Sequence, residues 1–354
     1  MRIATAISCY PFYNFRYLKL LHEFSKIFDV YVFAGSKLKA IREEDRRFKL
    51  CYIFPFIVPR RIRYHIGPLI AQPLLNLVRP DIVWLFDRVI PLMPLILKVP
   101  IILDVDDPNF TPSTKFSLMR DFYLMRNRNV KKIVTTTNIL KSKLVKFYGI
   151  PADKIEVIPY GVDLELFKPT NLPDENVVLY YGTLAPHRSR FLVKVIENVL
   201  KLRRDVKFII IGDVPRWLQE YLACKSYMEN IIMPGYIEHN KLPEWIRKAK
   251  VCIFTQDISL GGRLSFKLLE YMASGRPIVA TDVDESWPIK ESGAGIISPL
   301  NPEIFAENII KLLEDKKLAM KLAENGVKYA RQYSWNDMVA KYVKLIEEVV
   351  EDTK

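Results

Sequence analysis

The chain is poor in the residues that build metal centres and disulfide frameworks. Its four cysteines, Cys9, Cys51, Cys224 and Cys252, lie scattered over 354 residues with no C-x-x-C spacing, and only four histidines accompany them. This argues against a zinc-stapled or disulfide-stapled fold and fits a reducing cytoplasm. Long apolar runs are also lacking. The most apolar stretch, VIPLMPLILKVPIIL (89–103), holds three prolines and a lysine, too short and too broken to cross a bilayer. The N-terminus MRIATAIS runs straight into a strand pattern, so no signal peptide is expected. No repeat period or low-complexity tract interrupts the chain. Only four glutamines stand among its many Lys, Arg and Glu residues, a bias associated with life at high temperature.

Charge is abundant but unevenly placed. Residues 1–165 carry 26 Lys/Arg against 15 Asp/Glu, a surplus of 11, while residues 166–354 carry 27 against 25, a surplus of 2. The basic clusters are Arg60, Arg61 and Arg63, and then Arg126, Arg128, Lys131 and Lys132. Such a surface attracts nucleic acid, anionic membranes or phosphorylated ligands, and it also describes an ordinary solvated lysine-rich face.

Strand-like and helix-like segments alternate along the whole chain, the signature of α/β architecture with parallel sheets. RIATAIS, VYVFA, DIVWLF (81–86), PIILDV (100–105) and KIVTTT (132–137) are apolar and short enough for buried parallel strands. KIEVIPYGVDLELFKP (154–169) breaks that rhythm, with a turn at Tyr160-Gly161 and Asp163 placed to cap a short helix. The alternation then restarts with VVLYYG (177–182), VKFIIIGD (206–213), NIIMPG, VCIFT and PIVAT. The expectation is two doubly wound domains, 1–165 and 166–335. The apolar stripe Trp335, Met338, Val339, Tyr342, Val343, Ile346 and Val350 forms a closing helix over 336–354 that packs against one of them.

Candidate sites follow from strand ends. In SFKLLEYMASGRPIVAT (265–281), Lys267 falls in the first helical turn, the end where the macrodipole disfavours a cation. Two readings stand. One is a surface helix with an i,i+3 pair to Glu270; the other is an anion held between Lys267 and the free first-turn amides, with Glu270 accepting from hydroxyls behind it. Gly182 opens a strand-to-helix loop, GTLAPHRS, that brings Arg188 to the same sheet edge; a lone glycine there is also an ordinary βα turn. LDVDDP (103–108) gathers Asp104, Asp106 and Asp107, which suit either Mg²⁺ or Mn²⁺ binding or the turn before Pro108. His187 and His239 are isolated and read as surface or loop residues.

Taken in order and spacing, VIPYGVD…FKP, YYGTL, FIIIGD, NIIMPGYIEHNKLPEWIRKAKVCIFT, SFKLLEYMASGRPIVAT and YSWNDMVAKYVKLIEE resemble the GT-B-fold glycosyltransferases of family four. The resemblance spans about residues 130 to 350; the first 100 match in architecture only. It implies two Rossmann-like domains facing across a cleft, with the closing helix crossing back to the first. It implies a nucleotide-sugar donor, UDP- or GDP-linked, on the second domain and an acceptor on the first, with no metal and no other cofactor. By matching positions, Glu270 resembles the ribose-binding glutamate, and Ser265, Phe266 and Lys267 the stretch that meets the diphosphate. Gly182, Thr183 and Arg188 resemble the glycine and basic phosphate contacts, and Gly235, Tyr236 and Ile237 the main-chain grip on the base. Three departures accompany it. The carboxylate expected eight residues before Glu270 is Gly262, for which Asp257 is one substitute. The arginine expected after the strand glycine is Thr183. The glycine-rich first loop is SCYPFYN (8–14), and the first domain's usual histidine region reads LDVDDP.

The function expected on these grounds is transfer of a sugar from a nucleoside-diphosphate sugar to an acceptor hydroxyl, with retention. Lys267 and Arg188 would stabilise the departing diphosphate and Asp106 would orient or activate the acceptor. The basic first half points to an anionic acceptor, such as a polyprenyl-linked or lipid-linked saccharide or a polysaccharide precursor. It also suggests a cytoplasmic protein peripheral on the inner membrane face, with no nucleic-acid partner. The rivals are a metal-dependent transferase using Asp104 and Asp106 as a DxD, a nucleotide-sugar epimerase on the same fold, and a non-catalytic nucleotide-sugar-binding protein.

Overall fold

The structure, a computed structural model, describes residues 1–7, 15–34, 49–52, 77–86, 98–105, 122–257 and 262–353. These form two compact units, one of Met1–Pro159 with Asn336–Lys354, the other of Tyr160–Trp335.

The first unit is built on β1 (Arg2–Ile7), β2 (Asp29–Ala34), β3 (Lys49–Tyr52), β4 (Ile82–Phe86), β5 (Ile101–Asp104), β6 (Val130–Thr135) and β7 (Ile155–Val157). They pair in the order β3-β2-β1-β4-β5-β6-β7, all parallel. Ile3, Val83, Ile101, Ile102 and Ile133 are fully buried, as strands covered on both faces require. The helix Trp335–Glu351 belongs to this unit from Asn336 onward. It buries Met338, Tyr342 and Ile346, and the Tyr342 ring meets Phe24 and Trp84 edge-on at centroid distances of 5.8 and 6.1 Å.

The second unit repeats the plan with β8 (Val177–Tyr181), β9 (Lys207–Ile211), β10 (Ile231–Gly235), β11 (Val251–Phe254), β12 (Ile278–Thr281) and β13 (Gly295–Ser298), in the order β10-β9-β8-β11-β12-β13. Alternate residues of β8 enter different cores. Val177 and Leu179 pack with Leu268, Leu269 and Met272, whereas Val178 and Tyr180 pack with Leu192, Ile196 and Ile309. Helices thus cover both faces of the sheet.

The units divide at Pro159–Tyr160, ahead of the residue 165 boundary expected from the break in rhythm. The reason is local. Tyr160 and Val162 are buried in the second core, and Val162 donates to Tyr333 O (2.7 Å) and accepts from Trp335 N (3.3 Å). Asp163 does act as a cap, accepting from the amides of Glu165 and Leu166 at 3.2 and 3.1 Å, but the segment it caps is a turn and not a helix.

In each sheet the strand order reverses once, between β1 and β4 and between β8 and β11. Open α/β sheets bind ligands at such switch points, outside the carboxyl ends of the strands. SCYPFYN (8–14) and residues 87–97, which follow β1 and β4, lie outside the described residues, as do Arg60, Arg61, Arg63, Asp106 and Asp107. The second unit's switch point falls within the described residues apart from 258–261.

Candidate functional site

At the carboxyl edge of the second sheet, three strand ends are tied together through glycines. Gly182 donates its N–H to Ile211 O (3.0 Å), and Gly212 donates to Gly235 O (2.9 Å). Gly182 and Gly212 both hold φ +129°, a conformation side chains rarely adopt. A Cβ on Gly212 would lie 2.5 Å from Gly182 O, and one on Gly182 would collide with Lys267 Nζ. The loops are therefore as close as backbone permits.

Two helices begin beside this edge. Pro186–Leu202 starts with proline at its first position behind Ala185, and Phe266–Ala273 starts behind Ser265; neither Ala185 nor Ser265 makes a side-chain cap hydrogen bond. The first backbone bonds of these helices run from Ser189 N to Ala185 O (3.0 Å) and from Leu268 N to Ser265 O (3.2 Å), and helix N-termini set at a strand edge suit an anion. Lys267 Nζ lies beside Gly182 and over the rings of Tyr180, Tyr181 and Phe254, at 5.1, 5.6 and 5.8 Å from their centroids. Burial and, secondarily, the Arg188 guanidinium pull its pKa down to about 8, with Glu270 opposing. Arg188, in the first turn of its helix, has Nε 3.9 Å from Asp257 Oδ1. Two cations thus converge on one glycine loop at a cost in charge repulsion, which an added anion would relieve.

Glu270 is 4% exposed and held from two sides. The Tyr181 hydroxyl donates to its Oε2, and His239 Nε2 stands 2.6 Å from its Oε1. Burial, reinforced by this carboxylate, raises the Tyr181 pKa well above its ordinary value, so the hydroxyl stays a donor. The Tyr271 hydroxyl accepts from Tyr181 N (3.1 Å), locking the helix to β8. The surface-helix reading is overturned here. Glu270, Tyr271 and Ser274, which helical periodicity sets on the polar side, are all buried, as is every residue of the helix from Leu268 to Ala273. His239 is likewise no isolated surface residue.

Gly182, Arg188, Lys267 and Glu270 are brought together by these contacts. Thr183 is exposed, Tyr236 is exposed, and Ile237 packs partly buried against the core below Gly235. Ser265 and Phe266 wall a separate small pocket, where Phe266 stacks on Tyr160 at 3.9 Å. Asp257 is engaged with Arg188 and does not line that pocket. Asp104, one of the three clustered carboxylates, is fully buried in the first unit; it lies 3.4 Å from Arg16 and accepts from the Tyr342 hydroxyl. Asp106 lies outside the described residues, and so does the side chain of His187. Sequence reasoning missed Tyr181, the His239 contact, and Glu285, whose Oε1 accepts from Gly262 N at 2.8 Å. Nothing in the local spacing signals them, since each meets its partner across 23 or more residues.

Two parallel-sheet Rossmann-like units, the second with glycine loops and cations gathered at its switch point, define the GT-B class of glycosyltransferases. The chain belongs to glycosyltransferase family four: the family described as Glycosyltransferase Family 4 matches residues 17–166, and Glycosyl transferases group 1 matches residues 175–315. Among relatives, it is 24% identical over 260 residues to the alpha-D-kanosaminyltransferase of Streptomyces kanamyceticus, covering 66% of this chain and 67% of that one. It is also 24% identical to the D-inositol 3-phosphate glycosyltransferase of Paenarthrobacter aurescens, covering 62% and 58%. The chain spans between about half and two thirds of the length of the curated relatives it matches. Its fold is similar to that of Anabaena HepE solved in complex with UDP-glucose, with a TM-score of 0.78 over 98% of this chain and 100% of that one at 15% identity.

Proposed function

We propose that the chain transfers a sugar from a nucleoside-diphosphate sugar, UDP- or GDP-linked, to an acceptor hydroxyl, with retention of configuration. The observation that carries this reading is Lys267, set beside Gly182 and near Arg188 where two uncapped helices begin. In this reading the diphosphate lies against Gly182, the first-turn amides from Ser265 onward, Lys267 and Arg188. As the sugar–phosphate bond breaks, negative charge grows on the leaving diphosphate, and these preplaced positive groups stabilise it without a metal ion. Glu270, its carboxylate aimed by Tyr181 and His239, accepts from the ribose hydroxyls. The main chain of Gly235, Tyr236 and Ile237 grips the base, with Thr183 at the loop margin.

The acceptor is proposed to be anionic, a saccharide or lipid-linked precursor handled by the first unit. Two facts support it: the surplus of 11 positive charges in residues 1–165, and a relative named for an inositol phosphate acceptor. Asp106 is proposed to orient or activate the acceptor hydroxyl. No described helix is long and apolar enough to cross a membrane. Peripheral association with an anionic membrane face, through the basic first unit, is part of the same proposal.

A thermal-shift screen against UDP, GDP, ADP and dTDP and their sugar conjugates tests the donor reading. A ligand at a hundred times its Kd stabilises the folded chain by about 2.7 kcal/mol. One base is expected to raise the melting temperature clearly above the others; no shift with any of them at millimolar concentration overturns the proposal.

A further inference from the structure

A groove of about 820 Å³ lies at the other end of the second sheet from Gly182 and Lys267. One wall is the segment 169–174, which leads into β8, and Gly275, ahead of β12, stands at its floor. Both lie before the amino ends of their strands, whereas Gly182 and Gly212 follow carboxyl ends. The opposite wall is the helix Lys316–Ala330, continued by Arg331. All of these residues belong to the unit Tyr160–Trp335.

Both walls are fixed. Arg276 is fully buried and donates to Thr170 O (2.9 Å), Ile246 O (3.1 Å) and Arg247 O (3.2 Å), which clamps the first wall to the body of the unit. Gly275 holds φ +68°, and a Cβ there would lie 3.3 Å from Pro169 and 3.6 Å from Val327, so the walls meet at this glycine. The helix buries Ala319, Ala323 and Gly326, and a Cβ on Gly326 would come within 3.3 Å of Met272. A groove held in this way exists before any partner arrives.

The helix is basic where it meets solvent. Lys316, Lys317, Lys321, Lys328 and Arg331 are exposed, and among the described residues none of these five side chains has an ion pair or hydrogen bond. Other exposed cations of the unit do pair, Lys168 with Glu165, Lys207 with Glu175, Arg216 with Glu220 and Lys290 with Asp282. Lys317 and Lys321 fall on the same helical line as Lys328, about three and two turns before it. Two acids, Asp174 and Glu324, line the groove, so five cations stand against two acids. Between Lys316 and Lys328 the helix contributes Met320, Ala323 and Val327, with Pro169 and Leu172 across the groove. Met320 is 46% exposed, a large apolar side chain left uncovered.

We infer that this groove docks an acidic segment of a partner protein, a short apolar run with carboxylates at both ends. Lys316 and Lys328 are separated by about 18 Å along the helix, which an extended chain covers with about six residues. Carboxylates at its ends meet Lys316 on one side and Lys328 and Arg331 on the other, and the apolar side chains between them cover Met320 and Val327. A concave floor between charged ends suits an inserted segment better than the flat face of a bilayer. The inference is independent of the donor reading, because no residue of the groove is among those assigned to the nucleotide.

The test uses a fluorescein-labelled peptide pool in which aspartate pairs flank about six positions randomised among leucine, isoleucine, valine and phenylalanine. A second pool carries lysine pairs instead. Fluorescence anisotropy at 0.1 M salt is expected to show binding of the aspartate pool to the unaltered protein and at least about tenfold weaker binding of the lysine pool. Lys328→Glu with Arg331→Glu, and separately Met320→Asp, should each weaken the aspartate pool by at least about tenfold. These side chains are exposed, so the variants should fold, which melting curves check. Arg128→Glu, the same change of charge in the first unit, should leave the affinity within about twofold. No binding of the aspartate pool at millimolar protein overturns the inference. So does equal weakening by Arg128→Glu, which would mean attraction by net charge alone, or full binding by Met320→Asp. Phosphatidylserine vesicles form the last arm. If they lose the double variant while the aspartate pool binds no form of the protein, the face belongs to a membrane and the inference fails.

Discussion

Lys267 occupies the helical turn where a cation is least welcome, and Glu270 and the rings around it compensate its burial only in part. The pKa of about 8, against an ordinary 10.5, records that cost. Because the folded pKa is depressed, the charged amine penalises folding below about pH 8, and the penalty is relieved as pH rises toward 10.5. A bound diphosphate acts in the opposite sense. It favours the ammonium, raises the pKa again, and so takes up a proton when it binds above pH 8. Nucleotide affinity is therefore expected to fall as pH rises from 7 to 9.5, with calorimetry showing proton uptake in that window. In Lys267→Ala both effects should vanish, and Kd at pH 7 should rise by about 10- to 100-fold, the worth of one charge-assisted contact. A pH profile identical in variant and parent would remove Lys267 from the site. Lys267 and Glu270 were legible because they fall at helical spacing within one motif. Glu285 and His239 were not, since only the folded sheet brings their loops beside Gly262 and Glu270.

At the scale of elements, the glycine-linked strand ends separate two effects that a single substitution usually mixes. Gly182 and Gly212 share φ +129°, so alanine is strained at either by about 1–3 kcal/mol. Their neighbours differ. The methyl group at 212 would press on the carbonyl of Gly182, which cannot move without disturbing β8, whereas at 182 it would meet the end of a flexible lysine. Gly212→Ala is expected to lower thermal stability more than Gly182→Ala does, while Gly182→Ala loses more nucleotide affinity because it displaces the amine. Melting curves and calorimetry on the two variants decide it; the reverse ranking would contradict the close approach described here. Most strands were readable as short apolar runs between turns. The four-residue strands Lys49–Tyr52 and Gly295–Ser298 were not, being edge strands with polar or glycine residues that only pairing with β2 and β12 makes strand. The enclosure of Phe266–Ala273 was hidden for a related reason: Glu270 and Ser274 are polar by sequence and buried by their neighbours.

At the scale of the whole molecule, the last helix and the charge balance both single out the first unit. Arg16, Asp104 and Tyr342 form a buried cluster in which the Tyr342 hydroxyl accepts from Arg16 and donates to Asp104, so the chain's end is fastened to strand β5 near its beginning. Burial raises the Tyr342 pKa, and the hydroxyl remains protonated in that role. Residues 1–165 are basic, and Arg126, Arg128 and Lys131 are exposed, as is Tyr123 at 61%. Each Lys or Arg close to an anionic bilayer contributes about 1 kcal/mol, and the attraction is screened within about 10 Å at 0.1 M salt. Co-sedimentation is expected with phosphatidylserine-containing vesicles and not with phosphatidylcholine alone, and to fade as salt is raised. Arg128→Glu and Lys131→Glu should each weaken it several-fold while leaving nucleotide affinity unchanged, because both residues belong to the first unit and the glycine loops, Arg188 and Lys267 to the second. Equal, negligible binding to both vesicle types would dismiss the membrane surface and leave the positive surplus to a soluble anionic acceptor.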